Sequence, residues 1–157
     1  MLLGNILLAL AWAAVQGDFS LATLVTGHVL GYVILLTLVR GGVLPTSAYI
    51  GRVHRVVGLA IYFLWELGLA NLRIAFDVAT PRYHMKPGII AVPLDVTRDT
   101  EILLLSMLIN TTPGSVALDV SPDRKLLYVH VMYMTTPDAA RHEIKTGFER
   151  RVIGVLG

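Results

Sequence analysis

The sequence contains no cysteine, which removes disulfides, thiolate metal sites and thiol catalysis together. It is poor in charge of either sign: 13 Lys and Arg stand against 11 Asp and Glu, a formal net charge of +2. That balance, with no basic stripe interleaved with aromatics, gives no footing for nucleic acid. Glycine-rich phosphate loops, a Ser-His-Asp set and clustered metal ligands are also missing. The chain therefore reads as a non-enzyme with no cofactor and no metal site.

The scarcity of charge is uneven. Residues 1–51 carry only Asp18 and Arg40, while residues 82–157 carry 17 of the 24 charged side chains. Hydrophobic residues make up 55% of the chain and the mean hydropathy is +0.67, more apolar than a soluble domain usually is. One chain thus faces two solvents, lipid in its first half and water in its second.

Three apolar runs divide the first half. Residues 2–15 span about 21 Å as a helix, short of the ~30 Å hydrocarbon core. With no Lys or Arg ahead of it, this run does not read as a cleaved signal. Gln16, Gly17 and Asp18 end it, and Ser20 and Asp18 are placed to cap the second run. Residues 21–39 span about 28 Å and residues 56–76 about 31 Å, each enough to cross. Arg40, Gly41, Gly42 and Pro45 close the second run, and Asp77 and Pro81 close the third.

After Lys86 the pattern changes. Residues 88–96 predict a strand whose internal Pro93 makes it an edge or a bulge. Thr97 or Asp99 is expected to cap a helix reaching Asn110. Thr111, Thr112, Pro113 and Gly114 turn the chain into a strand at 115–120. Ser121-Pro122-Asp123 is a second turn, and residues 125–134 are the clearest strand. Thr136 and Pro137 open a last helix, on which Ile144, Phe148, Val152 and Val155 share one face. The expected fold class is an α+β membrane protein. About three transmembrane helices, the first short, occupy residues 1–80, and a small βαββα domain occupies 86–157. The 99–110 helix is apolar nearly all round. Either its outer side meets lipid headgroups or a partner subunit, or it is the fully buried centre of the domain.

Charge bias does not orient this arrangement. Arg40, Arg52 and Arg55 lie before the third run, and Arg73, Arg82 and Lys86 lie at or after its end. A two-span alternative lets the first two runs only dip into the membrane.

Glu66 lies in the middle of the third run, where a carboxylate costs about 2.5–3.5 kcal/mol on insertion scales and should face protein or water. It is the candidate for an intramembrane ion or proton relay; a hydrogen bond or ion pair between helices, or exposure near the headgroups, is the structural alternative. Asn71 falls roughly 140° away around the helix and adds little. Gly27, His28 and Gly31 form a candidate helix-packing face of small residues, with His28 read as a neutral core histidine. His130 lies in a strand beside Tyr128 and Met132, and His84 and His142 are isolated; none has a carboxylate at ligand spacing. Asn110-Thr111-Thr112 matches a glycosylation sequon but reads as turn chemistry.

Several stretches then converge: Trp65-Glu66-Leu67 with Ala70-Asn71-Leu72, Lys86-Pro87-Gly88 through Pro93-Leu94, Asn110 through Ser115, Leu118-Asp119-Val120 and Leu127 through Val131. In this order they resemble the E subunit of multisubunit Mrp-type Na+/H+ antiporters. The family usually has Thr where this chain has Ser115, which keeps the hydroxyl. The resemblance implies an accessory or assembly subunit of a multisubunit monovalent cation/proton antiporter. Its partners would be other membrane subunits and the lipid bilayer, with Na+ and H+ exchanged by the complex as a whole. It implies a bacterial or archaeal cell membrane, multi-pass, with a cytoplasmic C-terminal domain. Asn71, Pro93, Thr111, Thr112, Pro113, Gly114 and His130 then count as structural motif residues. Alternatives are direct participation in the cation path through Glu66, or a free-standing membrane adaptor for a soluble partner.

Overall fold

The structure, a computed structural model, describes residues 1–45, 47–80 and 85–157. Pro81, Arg82 and His84 lie outside the described residues. The described chain divides into two compact units, Met1–His54 and Arg55–Gly157.

The first unit is built on a helical hairpin. Helix α1 is Leu2–Gln16 and α2 is Leu21–Arg40. Gly17 ends α1 in the left-handed conformation, φ 65°, which a side chain would disfavour. The Ser20 hydroxyl accepts from the Thr23 N–H and caps α2. Asp18 supports the cap indirectly, accepting from the hydroxyls of Ser20 and Thr23. These hydrogen bonds hold its carboxyl below the ordinary value, the Thr23 hydroxyl contributing most. Asn5, Ala9 and Ala13 are buried on α1, as are Gly27, Gly31 and Leu35 on α2. Small side chains on both helices permit that close approach.

Helix α3 is Ala48–Ala79 and continues into the second unit. It starts eight residues before the expected Val56, because the Ser47 hydroxyl accepts from the Tyr49 N–H and begins the first turn early. Arg52 and Arg55 are therefore helical rather than flanking. Among the described residues, α2 and α3 are long and apolar enough to cross a membrane, and α1 is shorter.

The rest of the second unit is a three-stranded antiparallel sheet in the order β1-β3-β2, with β1 Gly88–Pro93, β2 Ser115–Val120 and β3 Leu126–Val131. Helix α4, Asp99–Thr111, joins β1 to β2. After β3 come α5, Pro137–Ile144, a π-helical turn at Lys145–Glu149, and α6, Arg150–Leu156. The core lies on one face of the sheet: Ile90, Val92, Leu127 and Val129 meet Ile102, Leu105, Ile109, Ile144, Phe148 and Val152. On the strands, Ile89, Val116, Leu118 and Tyr128 are left exposed.

The third strand, expected over 125–134, is Leu126–Val131, and four other local expectations change. β1 stops at Pro93 rather than Val96, because the Asp95 and Val96 N–H groups donate to the buried Glu149 carboxylate instead of to the sheet. α4 is capped by neither Thr97 nor Asp99. Its N-cap residue is Arg98, and Glu101 reaches back to accept from the Thr97 and Arg98 N–H groups, at 3.1 Å each. α4 is also not a fully buried central helix: Ile102, Leu105 and Ile109 are inside, but Leu103 and Met107 are 56% and 55% exposed. The last helix is not α-helical throughout: a π turn at Lys145–Glu149 is inserted in it. Gly147, Phe148 and Glu149 are buried in succession within that turn.

Candidate functional site

Tyr62, Glu66, Ala70 and Arg73 recur on one stripe of α3, three or four residues apart. In the second unit this stripe forms one wall of a cleft of about 370 Å³. The opposite wall comes from the Thr112-Pro113-Gly114-Ser115 turn, Tyr133 and Glu143. Glu66 is half-buried there, beside the Tyr62 hydroxyl one turn away. The cleft thus gathers two carboxylates, a guanidinium and two phenols, a lining suited to water or a small polar guest.

The turn is held by its own hydroxyls. Thr111 and Thr112 donate to the carbonyls of Met107 and Leu108, and Ser115 donates to the Ile109 carbonyl at 2.9 Å. The Asn110 side chain accepts from the Ala117 N–H at 2.7 Å, which docks the start of β2 against the end of α4. Gly114 has φ 92°, a conformation open to glycine. The Arg73 guanidinium lies 5.4 Å from the centre of the Tyr133 ring. Burial first, and then the neighbouring Asp77 carboxylate, push the Tyr133 phenol above its ordinary value.

The cleft brings Glu66 together with Thr112, Pro113 and Gly114. The other candidate residues lie apart from it. Asn71 donates to the Leu67 carbonyl of its own helix at 2.7 Å. Pro93 ends β1 opposite Leu126, and its carbonyl accepts from Lys145 at 2.6 Å. His130 is half-buried in β3, between Ile89 and Val116 on its two neighbours. Gly27 and Gly31 face α1 of this same chain: a Cβ on Gly27 would come within 2.9 Å of the Ala9 Cα, and one on Gly31 would overlap Asn5 Oδ1. His28 sits half-buried on the flank of that contact.

Three residues that the sequence did not mark hold these elements. Asn5, the one strongly polar side chain between Leu2 and Val15, is 1% exposed and donates to the Tyr49 hydroxyl at 2.7 Å. Glu149, also 1% exposed, accepts from two backbone N–H groups and pairs with Lys145 at 3.1 Å. Arg151 stacks over Tyr62. Only Asn5 gave a signal, as an isolated amide in an apolar run.

The profile of a Na+/H+ ion antiporter subunit family matches residues 5–155. The chain is similar to the E subunit of the Na+/H+ antiporter of Bacillus subtilis, 33% identical over 148 residues, covering 94% of this chain and 92% of that one. It is similarly related to the corresponding E subunit of Alkalihalophilus pseudofirmus, 32% identical over 151 residues, covering 96% and 94%. Among solved structures, its fold is similar to a chain of the Mrp complex from Dietzia sp., with a TM-score of 0.51 at 23% identity, covering 66% of this chain and 96% of that one. It is also similar to a chain of the membrane-bound sulfane sulfur reductase, an archaeal respiratory membrane complex, with a TM-score of 0.56 at 24% identity, covering 96% and 95%.

Proposed function

This chain belongs to the Na+/H+ ion antiporter subunit family, and we propose that it acts as an accessory subunit that assembles and holds other membrane subunits of such a complex. In this reading the complex sits in a bacterial or archaeal cell membrane. The apolar helices of residues 1–80 hold the chain there, and residues 86–157 form a domain on the cytoplasmic side. Na+ and H+ are exchanged by the assembly, whose other membrane subunits are the chain's partners.

The observation that carries this role is how α1 and α2 divide their surfaces. The small residues Ala9 and Ala13 of α1 and Gly27 and Gly31 of α2 are buried in the hairpin, while Leu3, Leu7, Val15, Val25, Val29 and Val33 remain exposed. Apolar helix faces of this kind are what neighbouring subunits or lipid would cover. A second reading makes Glu66 a direct contributor to the cation path, and the polar cleft around it favours that reading.

Two measurements separate them. The tagged chain, extracted in mild detergent, is expected to bring down other membrane subunits; recovery of the chain alone overturns the accessory reading. Glu66→Gln and Glu66→Ala are expected to assemble and keep sodium-driven proton exchange in vesicles. Normal assembly with lost exchange in both variants instead assigns Glu66 to the path.

A further inference from the structure

From Arg55 to Ala79, α3 carries four charged residues, Arg55, Glu66, Arg73 and Asp77. At 100° per residue they fall within an arc of about 40°. Leu59, Tyr62 and Ala70 complete the same stripe. The opposite side carries Val57, Ile61, Leu64 and Leu72, all exposed, with Trp65 and Phe76 on its flank, also exposed. Asn71, the polar residue on that side, turns its amide onto the Leu67 carbonyl of its own helix. This is a two-faced helix, whereas a lone crossing helix is apolar all round.

The charged stripe meets the α/β domain at points along it, on either side of the Glu66 cleft. Arg55 lies against Gly154, where a Cβ would stand 3.5 Å from its Cδ. Tyr62 contacts Gly147, meets the Phe148 ring edge-on at 5.5 Å and takes Arg151 over its face at 3.6 Å. Arg73 and Asp77 meet Tyr133. From Arg55 to Asp77 that is about 33 Å of helix, as long as the hydrocarbon core is thick. A helix crossing the membrane over these residues would carry its domain into the bilayer with it. That domain exposes Asp95, Asp99, Arg124 and Asp138 to solvent, which hydrocarbon does not accommodate.

We propose that α3 from Val57 to Phe76 lies along the membrane–water interface, its apolar face sunk among lipid acyl chains and its charged stripe turned to the domain, instead of crossing the bilayer. The occupant of the apolar face is anionic lipid. Arg55 and Arg73, near the two ends of the stretch, are exposed, while Glu66 is half-buried and Asp77 buried, so the exposed charge of the stretch is positive, and long arginine stems can bring it to headgroups around the helix. Trp65 sits at the edge of that face, where an indole partitions to the headgroup level. Composition alone does not reveal this arrangement, because a hydropathy window averages around the helix and ignores its faces.

The absence of cysteine makes the test direct. Val57→Cys, Leu64→Cys and Leu72→Cys are placed singly in the full chain, within the assembled complex, in vesicles of phosphatidylethanolamine and phosphatidylglycerol. Each thiol is spin-labelled, with the unsubstituted complex as the blank, and label depth is read from oxygen and nickel accessibility. The expected result is one depth for all three labels, about 5–10 Å below the headgroup boundary. A crossing helix separates positions 57 and 72 by about 22 Å and puts 64 deepest, which overturns the proposal. Labels shielded from both reagents mean that a protein subunit covers the face, which overturns it too. An Ala70→Cys label on the domain side, expected to be shielded from lipid-borne oxygen, verifies that the seat is intact in the labelled chains.

Discussion

The guanidinium carbon of Arg151 lies 3.6 Å from the centre of the Tyr62 ring, joining α6 to the middle of α3. The same guanidinium donates to the carbonyls of Thr146 and Gly147 in the π turn, at 3.1 and 2.7 Å. One side chain thus secures both the turn and the helix lying over it. Arg151→Ala is expected to loosen α3 from the domain by about 1–2 kcal/mol, the worth of a partly desolvated cation–π contact. Hydrogen exchange should quicken at residues 62–73 and around the π turn. Tyr62→Phe keeps the ring face but loses the hydroxyl beside Glu66, and should quicken exchange less than Arg151→Ala. Unchanged exchange in Arg151→Ala would mean that the contact contributes nothing.

Glu149 is the anchor of the π turn. Its Oε1 accepts from Asp95 at 2.6 Å and Val96 at 3.1 Å, and its Oε2 pairs with Lys145 at 3.1 Å. Removing the carboxylate leaves two backbone donors without their acceptor, each charge-assisted bond being worth about 1.5–3 kcal/mol. Glu149→Ala should therefore lower the domain's thermal stability severely, and Glu149→Gln, which keeps one oxygen, should fall between it and the parent. Thermal unfolding of the full chain in detergent measures the order of the three. Equal midpoints would show that the carboxylate is dispensable.

Local sequence rules carry equally far in the hairpin and in the domain. Ser20 and Thr136 cap the helices where a hydroxyl ahead of an apolar run says they should. Ser121 and Asp123 close the β2–β3 turn through a 2.6 Å hydrogen bond, as Ser-Pro-Asp suggests. Ile144, Phe148, Val152 and Val155 are buried together, as their spacing requires. What could not be read is what depends on distant partners. Glu149 finds its partners more than fifty positions away, at Asp95 and Val96, and no local pattern marks that. Asn5 finds Tyr49 across 44 positions. The Glu66 cleft is of the same kind: a carboxylate in the middle of an apolar run drew attention, but only the fold sets it against the Thr112-Pro113-Gly114 turn.

Glycine spacing on α2 has a testable consequence within the chain. Gly31→Ala would press a methyl group onto Asn5, and Gly27→Ala would press one onto the Ala9 backbone. Each is expected to destabilise the hairpin by about 1–3 kcal/mol, the usual cost of overpacking a close contact. Gly4→Ala meets no atom within 4 Å and should be neutral or, through helix propensity, slightly stabilising. Disulfide trapping between thiols introduced on α1 and α2 reports the approach of the two helices. Equal trapping in all three variants would remove the close contact as a source of stability.

The start of α4 supplies a pH dependence. The Arg98 N–H donates to Glu101, and this bond more than the one from Thr97 or the Arg98 charge holds the Glu101 carboxyl below its ordinary 4.5. A carboxyl whose folded value is depressed binds fewer protons folded than unfolded. Its contribution is therefore present above about pH 4.5 and is lost as the pH falls through the folded value. Asp123, held down chiefly by the Ser121 hydroxyl, acts in the same direction. Acidifying the parent chain below pH 4.5 should thus lower its unfolding midpoint. Glu101→Gln should start less stable at neutral pH and lose less on acidification, so the two curves converge in acid. Parallel curves over that window would show that Glu101 has the same proton affinity folded and unfolded, and that the cap at Arg98 contributes nothing to the acid limb.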